Sequence, residues 1–484
     1  MKRAALLVGL FIFAKFPLEA LDELPPAWPD PAIFKAGETV KFRLPFFAGL
    51  YTYSDNTPLY NLVHLPKDYD PKRAYPLCVR LHPQGGNPDV EEFVKMTNDQ
   101  AIVVGSCWPL AQPREEGKKY GTIGNEDAFY PAVALWAMRT FNVDRTRVYL
   151  GGFSLAGFTA IERGIHAPSR NVYTHFVILG AGLRGQYYPD LFKGKFAFIG
   201  VGTGDDNMKP AQAASALFKK AGMEVEYFEE QGLGHAVGDK EMATLIEWYK
   251  RSDPAVQADA WMKDAAAAES KEKKKACEFY AKVSTLGPND ARGKAAREKL
   301  EVLEGSALVA YEKACERFRL RDYIEAKKLF EAAGREAQSK HADRLVDLCT
   351  SSMALCIDAL FIEEMMDYEE AFFTGRPYEG LLMVQDGAQR FGADKHFAER
   401  LQGMLKYKVL TDLATAARAA DPKRCAILDK LMRARVQLWS GKGEPARKDL
   451  EEIAKNFADK PEGCDAKRML DFLDTILPPK PAPK

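Results

Sequence analysis

The chain has 484 residues, too many for one ordinary core, so two or three domains are expected. At 46% hydrophobic, 28% charged and 11% aromatic it has the make-up of a folded globular protein, which excludes a disordered or fibrous chain. Lys+Arg and Asp+Glu cancel at 68 each, so no basic excess points to nucleic acid, and no nucleic-acid partner is expected.

Taken from the start, Lys2 and Arg3 precede an apolar run at 4–14. That run is short for a bilayer span and suits the core of a signal peptide covering residues 1–20. Export, periplasmic or secreted, is the expectation; an uncleaved N-terminal membrane anchor is the alternative. No later segment reads as long and apolar enough to cross a membrane. From 35 to 252 short apolar runs alternate with helical stretches, the pattern of a mostly parallel sheet with crossover helices. Strands are expected at 39–44, 59–65, 76–82, 101–107, 147–153, 174–180, 196–202 and 224–229. Their Val, Ile, Leu, Phe and Tyr show little strict alternation, as strands covered on both faces should. Helices are expected at 126–140, 155–166, 210–221 and 239–251.

Past Asp253 the strand signals stop, and 255–475 turns to Ala, Glu, Lys, Leu and Arg with apolar residues at helical spacing. Helices or helix pairs are expected at 261–300, 306–336, 340–372, 377–416 and 423–475. A small residue followed by two large ones three and four positions later recurs, as in Ala276-Phe279-Tyr280, Ala326-Leu329-Phe330 and Gly380-Met383-Val384. With the stretch from Arg321 to Phe330 this resembles a degenerate tetratricopeptide-type repeat; the copies lack a regular period, so a plain all-α domain stays open beside it. The run 271–275 reads as a solvated helix face. The Pro- and Lys-rich tail at 476–484 is expected to be unfolded. The eight cysteines are compatible with disulfides or with buried thiols. Cys349 and Cys356, seven apart on a helix and so roughly 10 Å apart, are too distant to bridge each other.

Chemistry concentrates at Val148-Tyr149-Leu150-Gly151-Gly152-Phe153-Ser154-Leu155-Ala156-Gly157, where an apolar strand runs through a small–large–Ser–large–small turn into a helix. Such a turn forces the serine hydroxyl out at the carboxyl edge of a sheet, and small residues on either side let strand and helix cross almost in contact. The strand at 196–202 then ends in Gly202-Thr203-Gly204-Asp205-Asp206, and the strand at 224–229 is followed by Gln231-Gly232-Leu233-Gly234-His235. An acid after a late strand and a histidine after the last one would emerge at the same edge as Ser154. Asp205, where the turn leaves the strand, is preferred to Asp206. A turn cap and an ordinary loop histidine are the competing readings of Asp205 and His235. His64, His166, His175, His341 and His396 fit worse. The strand at 76–82 ends in His82-Pro83-Gln84-Gly85-Gly86; Pro83 has no N–H, so Gln84 and Leu155 are the candidate backbone donors for an oxyanion.

Residues 60–250 resemble the esterase branch of the α/β hydrolases, which includes polyhydroxybutyrate-depolymerase-like, feruloyl-esterase-like and phospholipase/carboxylesterase-like members. The resemblance rests on Leu65-Pro66-Lys67-Asp68-Tyr69-Asp70, Tyr75-Pro76-Leu77, Leu81-His82 with the following Gly pair, and the lead-in Val143-Asp144-Arg145-Thr146-Arg147-Val148. Gly152-Phe153-Ser154, Gly202-Thr203-Gly204-Asp205 and Gly234-His235 complete it. Pro83 and Ala156 stand where that branch usually has glycine. The resemblance implies an eight-stranded α/β-hydrolase sheet and a Ser154–His235–Asp205 triad. It also implies a serine esterase acting on a small-molecule or polysaccharide-linked ester, with no metal and no cofactor. An inert hydrolase-fold scaffold whose helices bind a partner protein, and a serine peptidase, are the competing readings. Trp108, Trp136, Tyr120 and Tyr130 either frame the cleft or belong to the core.

Overall fold

The structure, a computed structural model, describes residues 29–44, 60–83, 87–107, 126–165, 169–184, 187, 189–373, 377–405, 408–439 and 442–476. The expected signal segment, Gln84 with Gly85 and Gly86, Trp108, Tyr120, His166 and the Pro-rich tail from residue 477 onward lie outside these residues; residue 476 of that tail is helical.

Eight strands form one sheet: β1 (Thr39–Phe42), β2 (Asn61–His64), β3 (Tyr75–Leu81), β4 (Ile102–Ser106), β5 (Val143–Phe153), β6 (His175–Leu179), β7 (Phe196–Gly202) and β8 (Glu224–Glu230). Their order is β1-β2-β4-β3-β5-β6-β7-β8. β2 pairs antiparallel with β1 and β4, and the rest of the sheet is parallel. This is the mostly parallel sheet that the strand pattern anticipated. β3 is buried at every position, as a strand covered on both faces must be.

Helices cover the two faces: α1 (Glu91–Met96), α2 (Glu126–Thr140), α3 (Leu155–Gly164), α4 (Met208–Lys220) and α5 (Asp239–Lys250). Alternate side chains sort between the layers. Leu77, Val79, Leu150, Phe176 and Ile199 pack under α2, α3 and α4. Cys78, Val103, Tyr149, Val177 and Phe198 pack under α1 and α5. Six-residue α1 was not anticipated, being too short to display a helical period.

Beyond Asp253 the described chain is helical: α6 (Pro254–Ala268), α7 (Lys273–Ser284), α8 (Ala291–Glu304), α9 (Ser306–Arg319), α10 (Tyr323–Ser339), α11 (Asp343–Phe373), α12 (Pro377–Arg390), α13 (Lys395–Leu405), α14 (Lys408–Ala420), α15 (Pro422–Trp439), α16 (Gly443–Asn456) and α17 (Pro461–Ile476). Side-chain caps at Asp253, Asp290 and Asp322 and prolines at 254, 422 and 461 punctuate what periodicity alone ran together. Ala276, Ala326 and Gly380 are buried with Tyr280, Phe330 and Val384, consistent with small residues at close helix crossings. The eight cysteines are free thiols.

One expectation needs correction. The stretch Asp343–Tyr368 of α11 is, by length and composition, long and apolar enough to cross a membrane. Half of that stretch is buried within the protein, where α11 packs on α10, α12 and α2. A helix enclosed by protein is apolar on most faces, so its sequence passes the same test as a membrane span.

The helical array shares a core with the sheet layer: Phe318, Tyr323, Ala359 and Ile362 belong to the same apolar cluster as Trp136, Ile161 and Phe176. Polar clamps reinforce the contact. Glu363 of α11 accepts from Arg139 of α2 (2.9 Å), from the Tyr323 hydroxyl (2.7 Å) and from Arg321 (2.7 Å). Asp358 accepts from Arg170 (3.3 Å) and Asn171 (2.7 Å), and the Ala74 N–H donates to the Thr285 carbonyl (3.0 Å). Arg139, Asn171 and Ala74 lie just before β5, β6 and β3, so these clamps sit at the amino edge of the sheet.

Candidate active site

β5 ends at Phe153, and the chain turns through Ser154 into α3. Ser154 has φ 60° and ψ −124°, outside the regions a serine ordinarily occupies, and strain of this kind gathers at functional turns. The turn is held by the Ser154 N–H donating to the Leu179 carbonyl of β6 (2.8 Å). A Cβ on Gly152 would lie 2.4 Å from the Leu81 carbonyl oxygen and 2.7 Å from the Ala156 Cβ. Ala156 itself is accommodated, fully buried. The close approach on the other side falls to Gly157, where a Cβ would come within 2.7 Å of the Ala181 Cβ.

Asp205 leaves the end of β7 in a turn closed by its N–H to the Gly202 carbonyl (3.1 Å). Its carboxylate is buried and divided between two tasks. One oxygen accepts the Asn207 N–H (2.8 Å); the other meets His235 Nδ1 at 2.7 Å. Asp206 is exposed. The turn-cap reading of Asp205 is therefore partly right: it caps the turn and faces the histidine as well.

The His235 loop is stitched to the Asp205 loop. The Gly232 N–H donates to the Thr203 hydroxyl (2.8 Å), and the Gly204 N–H to the Leu233 carbonyl (2.8 Å). His235 Nε2 lies 2.7 Å from Ser154 Oγ. The imidazole rests against the Phe153 ring at 4.7 Å between centroids, and Gly180, whose Cβ would strike that ring at 2.6 Å, leaves the space. With Nδ1–H donating to the carboxylate, Nε2 is the acceptor and the serine hydroxyl the donor. The three side chains nominated from the sequence thus converge, although they span positions 154 to 235.

The Leu155 N–H opens α3 beside Ser154, among the first amides of the helix, which have no acceptor within it. Gln84, the second nominated donor, lies outside the described residues. Its neighbour His82 is buried, which pushes its imidazole down to about 4 and keeps it neutral, and its Nδ1 meets the Pro83 carbonyl at 3.0 Å.

Other histidines have structural surroundings. His64 meets Thr39 Oγ1 (3.0 Å) and Asp99 (2.7 Å). His175 is buried against Tyr149 and Phe196, and burial pushes it down to about 3. His396 faces Asp190 at 3.2 Å. Trp136 and Tyr130 are core residues rather than walls of a cleft. Sequence reasoning missed Phe153 as the shelf for the imidazole and Asn207 as the group that orients Asp205. The Asp-x-Asn spacing of an Asx turn was the available signal for Asn207.

No protein-family model matches the chain, and no curated protein does. Among solved structures it is similar to the carboxylesterase of Bacillus cereus, at 21% identity over 40% of this chain and 93% of that one, with a TM-score of 0.32. A phospholipase/carboxylesterase from Dyadobacter fermentans shares 16% identity over 39% of this chain and 95% of that one, with a TM-score of 0.30. The feruloyl esterase module of Clostridium thermocellum, solved with sinapinate, shares 18% over 44% and 87%, with a TM-score of 0.31.

Proposed function

We propose that this protein is a serine hydrolase that cleaves carboxylic esters through an acyl-enzyme. The observation that carries the reading is the unbroken chain from Ser154 Oγ through the His235 imidazole to the Asp205 carboxylate, both contacts being 2.7 Å. His235 takes the serine proton as Oγ attacks the ester carbonyl, and Asp205 holds the ring in the required tautomer and stabilises the imidazolium. The Leu155 N–H, with that of Gln84 as the second donor, stabilises the tetrahedral oxyanion. The imidazolium then protonates the departing alcohol. Water, deprotonated by the same ring, releases the acid and restores Ser154.

A fluorophosphonate probe tests this directly. Wild-type protein is expected to be labelled and to hydrolyse p-nitrophenyl butyrate, and Ser154→Ala to do neither. Asp205→Asn should reduce kcat roughly ten-thousandfold, because the amide favours the wrong imidazole tautomer. Folded wild-type protein that takes no label would sink the reading. It would favour an inert scaffold whose helical array docks a partner. That second reading draws on a groove of about 490 Å³ lined by Arg321, Tyr323, Leu360, Leu438 and Phe472. Turnover of peptide amides in preference to esters would point to a peptidase of the same fold.

A further inference from the structure

The segment that leaves β6, residues 180–184, borders the triad and is pinned there. Asn207, which orients Asp205 through its N–H, donates its side-chain amide to the Gly180 carbonyl (2.9 Å), and the Leu183 N–H donates to the Pro210 carbonyl (3.0 Å). At the end of this segment the Arg184 N–H donates to the Tyr187 hydroxyl. The Arg184 guanidinium lies 5.8 Å from the centre of the Phe158 ring. Phe158 is four residues after Ser154, in the first turn of α3. Helical side chains lean toward the amino end, which carries this ring toward Ser154. The cation therefore lies against the first turn of the helix that follows Ser154, at the edge of the sheet where substrates of such folds gather.

This cation differs from the arginines at the opposite edge. Arg139 and Arg170 are half-buried and paired with carboxylates. Arg184 is exposed, and among the described residues no carboxylate forms an ion pair with it. Glu162 and Arg184 both lie near enough to Tyr187 to act on its hydroxyl. A planar, permanently charged group with free donors, held over an aromatic ring, suits a carboxylate.

We propose that Arg184 is an anion subsite beside Ser154, and that the preferred substrates are esters bearing a carboxylate on the acyl or the alcohol part. The inference rests on the serine-hydrolase reading. It is tested with two matched pairs: p-nitrophenyl hemiadipate against p-nitrophenyl hexanoate, and para-carboxyphenyl butyrate against phenyl butyrate. In wild-type protein the anionic member of at least one pair should have the higher kcat/KM, by roughly tenfold at low salt, falling as salt rises. That ratio should collapse in Arg184→Gln, invert in Arg184→Glu and be largely kept in Arg184→Lys. Equal ratios in wild type and Arg184→Gln for both pairs, with Ser154-dependent fluorophosphonate labelling intact, would overturn the subsite and leave the hydrolase standing. Absence of both labelling and turnover of every ester would overturn the two together.

Discussion

Glu241 lies in the first turn of α5, six residues beyond His235, and is fully buried. Its carboxyl accepts the Gly238 N–H (3.3 Å), its own N–H donates to Glu230 (2.8 Å), and it fills the space that Gly200 of β7 leaves open. Burial pushes this carboxyl up to about 7, and the like charges of Glu230, Glu92 and Asp205 act in the same direction. Between the ordinary carboxylate range and about 7, the folded protein therefore keeps a proton that the unfolded chain has released. Stability contributed by this group falls as pH rises through that window. Glu241→Gln keeps the acceptor and removes the titration. Urea midpoints should show almost no gain for the variant at pH 5 and a gain on the order of 2 kcal/mol at pH 8. An equal gain at both pH values would show that the carboxyl titrates normally. None of this was legible in the sequence, where Glu241 reads as an ordinary first-turn acid. Asp205 was legible, because a turn immediately after an apolar strand fixes which acid faces the sheet edge.

At the scale of elements, the β5–Ser154–α3 unit depends on how closely strand and helix cross. Gly152 is the tightest point, held between the Leu81 carbonyl of β3 and Ala156 of α3. Gly152→Ala must push α3 or β3 aside. It should cost about 2 kcal/mol or more in thermal or urea unfolding. It should also lower kcat/KM for p-nitrophenyl butyrate roughly a hundredfold, because a nucleophile displaced by about 1 Å loses its alignment. A variant with wild-type stability and turnover would mean the crossing is looser than the structure has it. The small–x–Ser–x–small pattern announced this unit. That Ala156 is tolerated, and that Gly157 takes over the close contact with Ala181, was not legible: it depends on where β6 delivers the loop after Leu179.

For the whole molecule, the sheet layer and the helical array behave as one packed body through α2 and α11. Glu363 is the centre of that contact, buried with Arg139, Arg321 and Tyr323 around it. Glu363→Ala removes the buried carboxylate that Arg139, Arg321 and Tyr323 share. The expected cost is about 3–5 kcal/mol. Hydrogen exchange should show α2 and α11 losing protection together, in a single unfolding transition. Loss confined to α11, with α2 unchanged, would show instead that the two parts are independent. The clamps lie before β3, β5 and β6, and Ser154 lies after β5. The described clamps therefore brace the end of the sheet opposite Ser154.

Local chemistry was enough for the elements and the nominated residues. Apolar runs marked the eight strands to within a few positions, a small–large–Ser–large–small turn marked Ser154, and turn residues after late strands marked Asp205 and His235. These signals are short-range, set by backbone propensity and burial within a handful of residues. Tertiary structure alone decided what depends on contacts far apart in the chain. It placed the Phe153 ring under His235, packed an apolar α11 inside the protein rather than leaving it to read as a membrane span, and joined the helices to the amino edge through Glu363. A hydrogen bond between residues 224 positions apart leaves no trace in the spacing of either one's neighbours, because the pairing exists only once the intervening chain has folded.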